Sequence, residues 1–196
     1  MYQLVLASES PRRKQLLEKA GFNFRVCPSN ISEILNKSLN VEEQILDLAR
    51  QKARTVFSSL KASMKEPYLV LGSDTEVIFG GKPLGKPTDT DDAYRILRSL
   101  SGKKHTVITG VCLLESLHGL ESSDYELSEV TFKDLPDEKI WSYIQSGDPM
   151  DKAGAYGIQG PGRDLIHHFE GTLENIMGLP LKKVISMLEK NSWKIK

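Results

Sequence analysis

A mixed α/β (α+β) fold is predicted for this 196-residue chain, because helix and strand patterns alternate along it without a regular βαβ repeat. Two long strand-like segments, 105–114 and 124–133, are joined around Gly119, and they indicate an antiparallel pair in an extended, twisted mixed sheet. The length permits one large domain or two small lobes around a cleft. We expect a single domain spanning 1–196, with two lobes whose boundary lies near residues 86–104.

The first half of the chain contains two clear helix starts. Ser10 is placed to cap a helix, Pro11 occupies its first position, and Gly21 lies just past its end. Asn40 and Glu43 have the spacing of a capping box at the start of a longer helix. The predicted elements are a strand at 3–7, a helix at 11–20, a strand at 22–27, a helix at about 41–61, a buried strand at 68–72, and a strand at 75–79 that turns at Gly80-Gly81.

The second half begins with a helix that Gly102 ends and finishes with a closing helix. The glycine-rich segment 151–178 is typical of loop and short strand. The predicted elements are helices at 90–100, 136–145 and 181–188 and the strands at 105–114 and 124–133.

Composition limits the kinds of partner. The chain has 26 basic and 26 acidic residues and a formal net charge of zero, which argues against broad binding to nucleic acid. No apolar stretch is long enough to cross a bilayer, and no secretory signal is visible. Cys27 and Cys112 are far apart and lack metal-ligand spacing, so we expect two reduced, structural cysteines and a cytoplasmic protein.

The first helix start has the composition of a phosphate site. Ser8, Ser10, Arg12 and Arg13 surround a helix N-terminus, which carries free N–H groups and a partial positive charge. Arginine forks match phosphate oxygens two at a time. The alternative is an ordinary capped helix with a solvated arginine pair.

Four further charged residues could serve chemistry on a polyphosphate. Asp74 follows a buried strand, Lys52 lies midway along the long helix, Lys86 follows the hairpin, and Glu33 lies in a polar loop. Such residues can assist a divalent cation in attack on phosphorus. Taken singly, each also fits an ordinary turn, loop or solvated surface position.

The segment 151–160 places three glycines around a tyrosine and Gln159. Small residues let a backbone approach a ligand, and a glutamine amide can pair with the O4 and N3–H edge of uracil or thymine. A tight structural turn is the alternative. Among the histidines, His105 fits a turn brace better than a general base, and the neighbours His167 and His168 make a poor joint metal site.

Seven motifs in this order resemble the Maf nucleotide pyrophosphatases across nearly the whole chain. The matching positions are 8–13, Lys52, 73–75, 85–87, 101–105, 151–160 and 171–180. The resemblance implies a fold related to the inosine triphosphate pyrophosphatases, with a long twisted sheet and two lobes around a cleft. It also implies a homodimer.

The implied reaction is hydrolysis of nucleoside triphosphates to the monophosphate and pyrophosphate, with Mg²⁺ or Mn²⁺ as cofactor. Asp74 matches the family's proton acceptor. The residues that match its phosphate- and metal-handling set are Ser8, Arg12, Arg13, Glu33, Lys52 and Lys86. Asp74 and Glu33 could hold the metal, orient the water, or share these roles.

Three positions resemble the dTTP/UTP branch of the family, namely Arg12, Thr75 and Gln159. Ser73 stands where alanine is common, and Glu76 stands where an apolar residue is usual. The alternatives are the same reaction on another base, such as 7-methyl-GTP, or a nucleotide-binding regulator of cell division. The expected partners are nucleoside triphosphates, with neither nucleic acid nor membrane.

Overall fold

The computed structural model describes all 196 residues, Met1–Lys196, as a mixed α/β protein. The strands are β1 (Gln3–Leu6), β2 (Phe24–Val26), β3 (Tyr68–Phe79), β4 (Lys82–Pro83), β5 (Lys104–Glu115), β6 (Glu121–Phe132) and β7 (Ile166–Glu170). The helices are α1 (Pro11–Lys19), α2 (Val41–Leu60), α3 (Thr90–Leu100), α4 (Asp137–Gln145), α5 (Leu173–Ile176) and α6 (Leu181–Lys190). The predicted fold class is confirmed.

The seven strands form a mixed sheet, as the sequence predicts. They are hydrogen-bonded in the order β2-β1-β3-β5-β6-β7, and β4 pairs with β3. β1 runs parallel to both β2 and β3, whereas β4 and β7 run antiparallel to their neighbours β3 and β6. The predicted strands at 68–72 and 75–79 are one continuous strand, β3.

The chain divides into two compact units. The first comprises Met1–Asp74, Thr109–Glu126 and Gly178–Lys196, and the second comprises Thr75–Ile108 and Leu127–Met177. The expected boundary near residues 86–104 is wrong, because that whole segment belongs to the second unit. The chain passes from one unit to the other four times. Three of these boundaries fall within the strands β3, β5 and β6, so no flexible linker marks them in the sequence.

In the first unit, α2 lies directly against β3. A Cβ at Gly72 would come 2.3 Å from the Ala49 carbonyl oxygen and 2.8 Å from the Ala53 nitrogen, so only glycine fits. Around this contact lies an apolar cluster that includes Val70 and Cys112. Burial raises the pKa of Cys112 to about 12, which keeps this free thiol neutral.

Helix boundaries follow the predicted caps closely. The Ser10 hydroxyl accepts from Arg13 N, Pro11 begins α1, and Asn40 and Glu43 form the capping box of α2. The segment 151–178 contains the expected short strand, β7, and also two short 3₁₀ segments, Ala153–Ala155 and Gly160–Leu165, and the helix α5. No helix is both long and apolar enough to span a membrane.

Candidate active site

Lys52 joins two carboxylates in the first unit. Its Nζ lies 2.7 Å from Glu33 Oε1 and donates a hydrogen bond to Asp74 Oδ1. The side chains of Lys52 and Asp74 are 13% and 8% exposed, whereas Glu33 is 46% exposed. The partly desolvated ammonium therefore fixes one oxygen of a nearly buried carboxylate and holds a second, more exposed carboxylate beside it.

The close approach of α2 to β3 explains why Lys52 reaches Asp74. Gly72 and Asp74 are two residues apart on one strand, so they face the same side of the sheet. Gly72 admits the α2 backbone at Ala49 and Ala53. Lys52 precedes Ala53 on that helix and so meets the Asp74 carboxylate.

Gln51 holds the loop that carries Glu33. Its Oε1 accepts from Ile34 N at 3.2 Å, and its Nε2 donates to Ile34 O at 2.8 Å. Asp47 Oδ2 accepts from the same Nε2 at 2.8 Å and so orients the amide. The only sequence signal for this role is the position of Gln51 immediately before Lys52.

The start of α1 is a second polar cluster in the first unit. Ser8 Oγ accepts from Ser10 N at 3.2 Å and from Arg13 Nη1 at 3.0 Å. Arg13 Nε donates to Gly178 O at 2.8 Å, and Ser73 Oγ donates to the same carbonyl at 2.9 Å. Arg13 thus ties α1 to the segment after α5, and the Ser73 hydroxyl has a specific partner in the Gly178 carbonyl.

Burial and neighbouring charges shift the pKa of Arg13. Burial lowers the pKa of its guanidinium, Arg12 adds to the lowering, and the negative charges of Asp74 and Glu33 oppose it. A guanidinium does not lose its proton in proteins, so Arg13 stays cationic. Arg12 precedes it on α1 and is half-buried.

Three of the nine predicted site residues lie in the second unit, and six lie in the first. The second-unit residues are Thr75, Lys86 and Gln159. The first-unit residues are Ser8, Arg12, Arg13, Glu33, Lys52 and Asp74. The structure brings Glu33, Lys52 and Asp74 into direct contact and pairs Ser8 with Arg13.

In the second unit, the loop of Lys86 is bonded to the glycine-rich loop. Gly154 N donates to Gly85 O at 2.7 Å, immediately before the exposed Lys86. Gly154 has a φ of +67°, and a Cβ there would come 2.8 Å from the Val77 side chain. Glycine is therefore required at position 154, both for the positive φ and for the space beside Val77. Gln159 lies further along the same loop and is half-buried.

Behind this loop lies a polar network that the sequence alone does not reveal. The Tyr143 hydroxyl donates to Asp148 Oδ2 at 2.6 Å and accepts from Gly157 N at 3.1 Å. Lys152 Nζ lies 3.0 Å from Asp148 Oδ1 and 2.6 Å from Asp151 Oδ1. Lys152 lies in the motif at 151–160, whereas Tyr143 lies in the predicted helix at 136–145, where the sequence gives no sign of this role.

His105 braces the glycine-rich loop. It is buried, and its Nε2 lies 2.8 Å from the Tyr156 hydroxyl, while Phe132 packs edge-on at 5.0 Å between ring centroids. Burial lowers the pKa of His105 to about 4, so the ring is neutral at pH 7. The bracing role is confirmed, with Tyr156 as the partner. His167 and His168 are both exposed.

The donor set suits a cation that arrives with phosphate. No group of three or more histidine, cysteine, aspartate or glutamate side chains is gathered to hold a metal. Asp74 Oδ2 is buried and accepts no hydrogen bond, whereas Oδ1 is engaged by Lys52. Mg²⁺ commonly takes one or two carboxylates and completes its shell with water and substrate phosphates. Asp74, with Glu33 beside it, fits that pattern.

Comparison with known proteins agrees with the motifs. The family model described as Maf-like protein matches residues 3–191. The chain belongs to the Maf family. It is 57% identical over 187 residues to the dTTP/UTP pyrophosphatase of Bdellovibrio bacteriovorus, covering 95% of this chain and 97% of that protein. It is 44% identical over 190 residues to the dTTP/UTP pyrophosphatase of Caldicellulosiruptor bescii, covering 97% and 95%.

This Maf family chain also has a match among solved structures. The match is the nucleoside-triphosphatase / dITP/XTP pyrophosphatase of Mycobacterium abscessus, with a TM-score of 0.43 and 13% identity over 97% of this chain and 96% of that one.

Proposed function

We propose that this Maf protein hydrolyses nucleoside triphosphates, preferentially dTTP and UTP, to the monophosphate and pyrophosphate. The observation that carries the proposal is the contact of Lys52 with both Asp74 and Glu33. Relatives that align over nearly the whole chain bear the name dTTP/UTP pyrophosphatase, which supports the same substrate class here.

Cationic side chains of the chain suit a triphosphate. Arg12, Arg13 and Lys52 in the first unit and Lys86 in the second supply four positive charges for the phosphate oxygens. The N-terminus of α1, with its Ser10 cap, adds N–H groups and a partial positive charge. These groups stabilise the charge that develops as pyrophosphate leaves.

Asp74 is the proposed proton acceptor. Lys52 fixes Oδ1, so the second oxygen, Oδ2, is held in a defined place to accept a proton from a water that attacks the α-phosphorus. The P–O bond to the pyrophosphate leaving group breaks as the water oxygen bonds to phosphorus. Glu33 holds Lys52 from the exposed side.

The proposed cofactor is Mg²⁺ or Mn²⁺, held by Asp74 with Glu33. When bound, such a cation lowers the pKa of a coordinated water and neutralises phosphate charge. The chain's own contribution is the oxygen donors and the Lys52 contact that orients them.

Base choice is assigned to Gln159, Thr75 and Arg12. The Gln159 amide can pair with the O4 acceptor and N3–H donor of uracil or thymine. Thr75 directly follows Asp74 on β3, and Arg12 begins the basic pair on α1. We expect the protein to be cytoplasmic. We also expect it to be a homodimer, and analytical ultracentrifugation measures this oligomeric state.

A substrate panel tests the proposal. Pyrophosphate release is measured for UTP, dTTP, CTP, 7-methyl-GTP and ITP with Mg²⁺ and with Mn²⁺. We expect the highest kcat/KM for UTP and dTTP. Faster release from 7-methyl-GTP or ITP would move the protein to another substrate branch, and binding without release from any nucleotide would favour a regulator.

A further inference from the structure

We propose that Tyr143 is a positioning residue for base choice, because its hydroxyl fixes the backbone that presents Gln159. The inference rests on the proposed function, in which Gln159 reads the base. Tyr143 lies on α4 and is buried, and Gly157, its backbone partner, is two residues before Gln159.

The Tyr143 hydroxyl is both a hydrogen-bond donor and an acceptor. It donates to Asp148 Oδ2 at 2.6 Å and accepts from Gly157 N at 3.1 Å. Burial and the neighbouring Asp148 raise the pKa of Tyr143, so the hydroxyl keeps its proton and remains a donor. Because the Tyr143 hydroxyl proton is engaged by Asp148, a lone pair of the hydroxyl oxygen is directed at Gly157 N.

Lys152 completes the support. Its Nζ contacts Asp148 Oδ1 at 3.0 Å, so the Asp148 carboxylate is shared between an ammonium and the Tyr143 hydroxyl. The Lys152 side chain is 10% exposed, and Asp151 lies 2.6 Å from the same Nζ. A nearly buried charge with two carboxylate partners is costly to disturb, which makes Asp148 a rigid acceptor.

Close packing leaves Gly157 little freedom. A Cβ at Gly157 would come 3.0 Å from Lys152 Cε, and a Cβ at Gly162 would come 2.2 Å from the Gly157 carbonyl oxygen. The backbone at Gly157 is therefore clasped between the lysine stem and the following 3₁₀ segment, with Tyr143 as its hydrogen-bond anchor.

This rigidity matters for discrimination between bases. Cytosine presents the reverse edge to uracil, with an acceptor at N3 and a donor at position 4, so a glutamine that moves or turns over can pair with it. A recognition group discriminates only when its supporting residues hold it in place. The His105–Tyr156 contact supports this loop at Tyr156, and the Tyr143 network supports it at Gly157, closer to Gln159.

The test compares two tyrosine-to-phenylalanine variants in the second unit. Tyr143→Phe removes the anchor of Gly157, whereas Tyr94→Phe removes a hydroxyl that bonds Asp137. For Tyr143→Phe we expect the UTP-to-CTP ratio of kcat/KM to fall about fivefold or more, mainly through KM for UTP, with kcat for UTP within about twofold. Tyr94→Phe should keep the wild-type ratio.

Two further measurements keep the outcome decisive. Amide hydrogen exchange should be faster at Gly157–Gln159 in Tyr143→Phe and unchanged in Tyr94→Phe. Asp148→Asn, which weakens the ion pair with Lys152 but keeps an acceptor, should lower the ratio less than Tyr143→Phe and substitutes for it if that variant does not fold.

Three results would overturn the inference. An unchanged UTP-to-CTP ratio in Tyr143→Phe, alongside a lowered ratio in Gln159→Ala, would leave base reading by Gln159 intact and reject Tyr143. An equal fall for both nucleotides would assign Tyr143 to folding alone. If wild type releases no pyrophosphate, or Gln159→Ala keeps the ratio, the proposed function or its base-reading part fails first, and this inference with it.

Discussion

Lys52 donates a hydrogen bond to Asp74 and thereby joins the middle of α2 to the point where β3 leaves the buried core. The contact exists because Gly72 lets the helix backbone approach the strand. A nearly buried carboxylate held in this way has one oxygen engaged by the ammonium, and its other oxygen is buried without a hydrogen-bond partner. The reaction proposed for the protein depends on this arrangement.

Asp74→Asn should lower kcat by about two orders of magnitude or more, because the amide can neither accept the proton nor bind a cation strongly. KM for the nucleotide should change less, since the cationic groups remain. Asp124→Asn is the matched control, because Asp124 pairs with Lys183 elsewhere in the first unit. Near-normal turnover of Asp74→Asn would shift the catalytic role to Glu33.

Gly72→Ala should destabilise the protein more than Gly110→Ala. The added Cβ would lie 2.3 Å from Ala49 O at Gly72, but 3.0 Å from Ile45 O at Gly110. Overpacking of this kind costs roughly 1–3 kcal/mol. Urea titrations of both variants measure the difference, and activity of any folded Gly72→Ala protein should fall because α2 is displaced. Equal stability of the two variants would show that the strand–helix contact at Gly72 is not tight.

Local rules were sufficient for the helix ends and most strands. Ser10 and Asn40 are side-chain caps, and each acts within four residues, so the sequence contains all that is needed to place them. The division into units was not predictable in the same way. It passes through β3, β5 and β6, and a strand that continues from one unit to the next carries no change of composition.

Gln159→Ala should erode the preference for UTP over CTP while leaving phosphate chemistry largely intact. An unpaired buried polar group costs on the order of 1–3 kcal/mol, which corresponds to roughly a ten- to hundredfold discrimination. Values of kcat/KM for both nucleotides, in wild type and variant, measure the effect. A ratio that does not change would mean that Gln159 does not read the base.

The lowered pKa of the buried His105 predicts that the protein loses stability in mild acid. Burial lowers the pKa of His105 from 6.5 to about 4, so between these values the unfolded chain binds a proton that the folded protein does not. The free energy of unfolding is therefore undiminished above about pH 6.5 and falls as the pH drops toward 4, by on the order of 3 kcal/mol in total. Urea titrations at pH 7, 6, 5 and 4 measure the slope.

The control is His105→Gln, which does not titrate in this range. Its free energy of unfolding should depend less steeply on pH than that of wild type between 6.5 and 4. Identical slopes in the two proteins would place the source of the pH dependence in other groups.

The candidate site residues were proposed from the motifs and the family resemblance, but their supports were not. Asp74 and Lys52 lie in those motifs and Glu33 lies in a polar loop, and the structure brings the three side chains into contact. Gln51 and Tyr143 act through bonds to the backbone of Ile34 and Gly157, and a backbone acceptor or donor has no sequence signature. Such pairs are 17 and 14 residues apart, beyond the reach of local patterns.

The central claim, attack of water at the α-phosphorus, is tested most directly by hydrolysis of UTP in ¹⁸O-labelled water with Mg²⁺ or Mn²⁺. Phosphorus NMR and mass spectrometry identify the products and locate the label. We expect UMP and pyrophosphate, with ¹⁸O in UMP. Label in pyrophosphate would place the attack at the β-phosphorus, and formation of UDP and orthophosphate would place it at the γ-phosphorus; either result would contradict the proposed reaction.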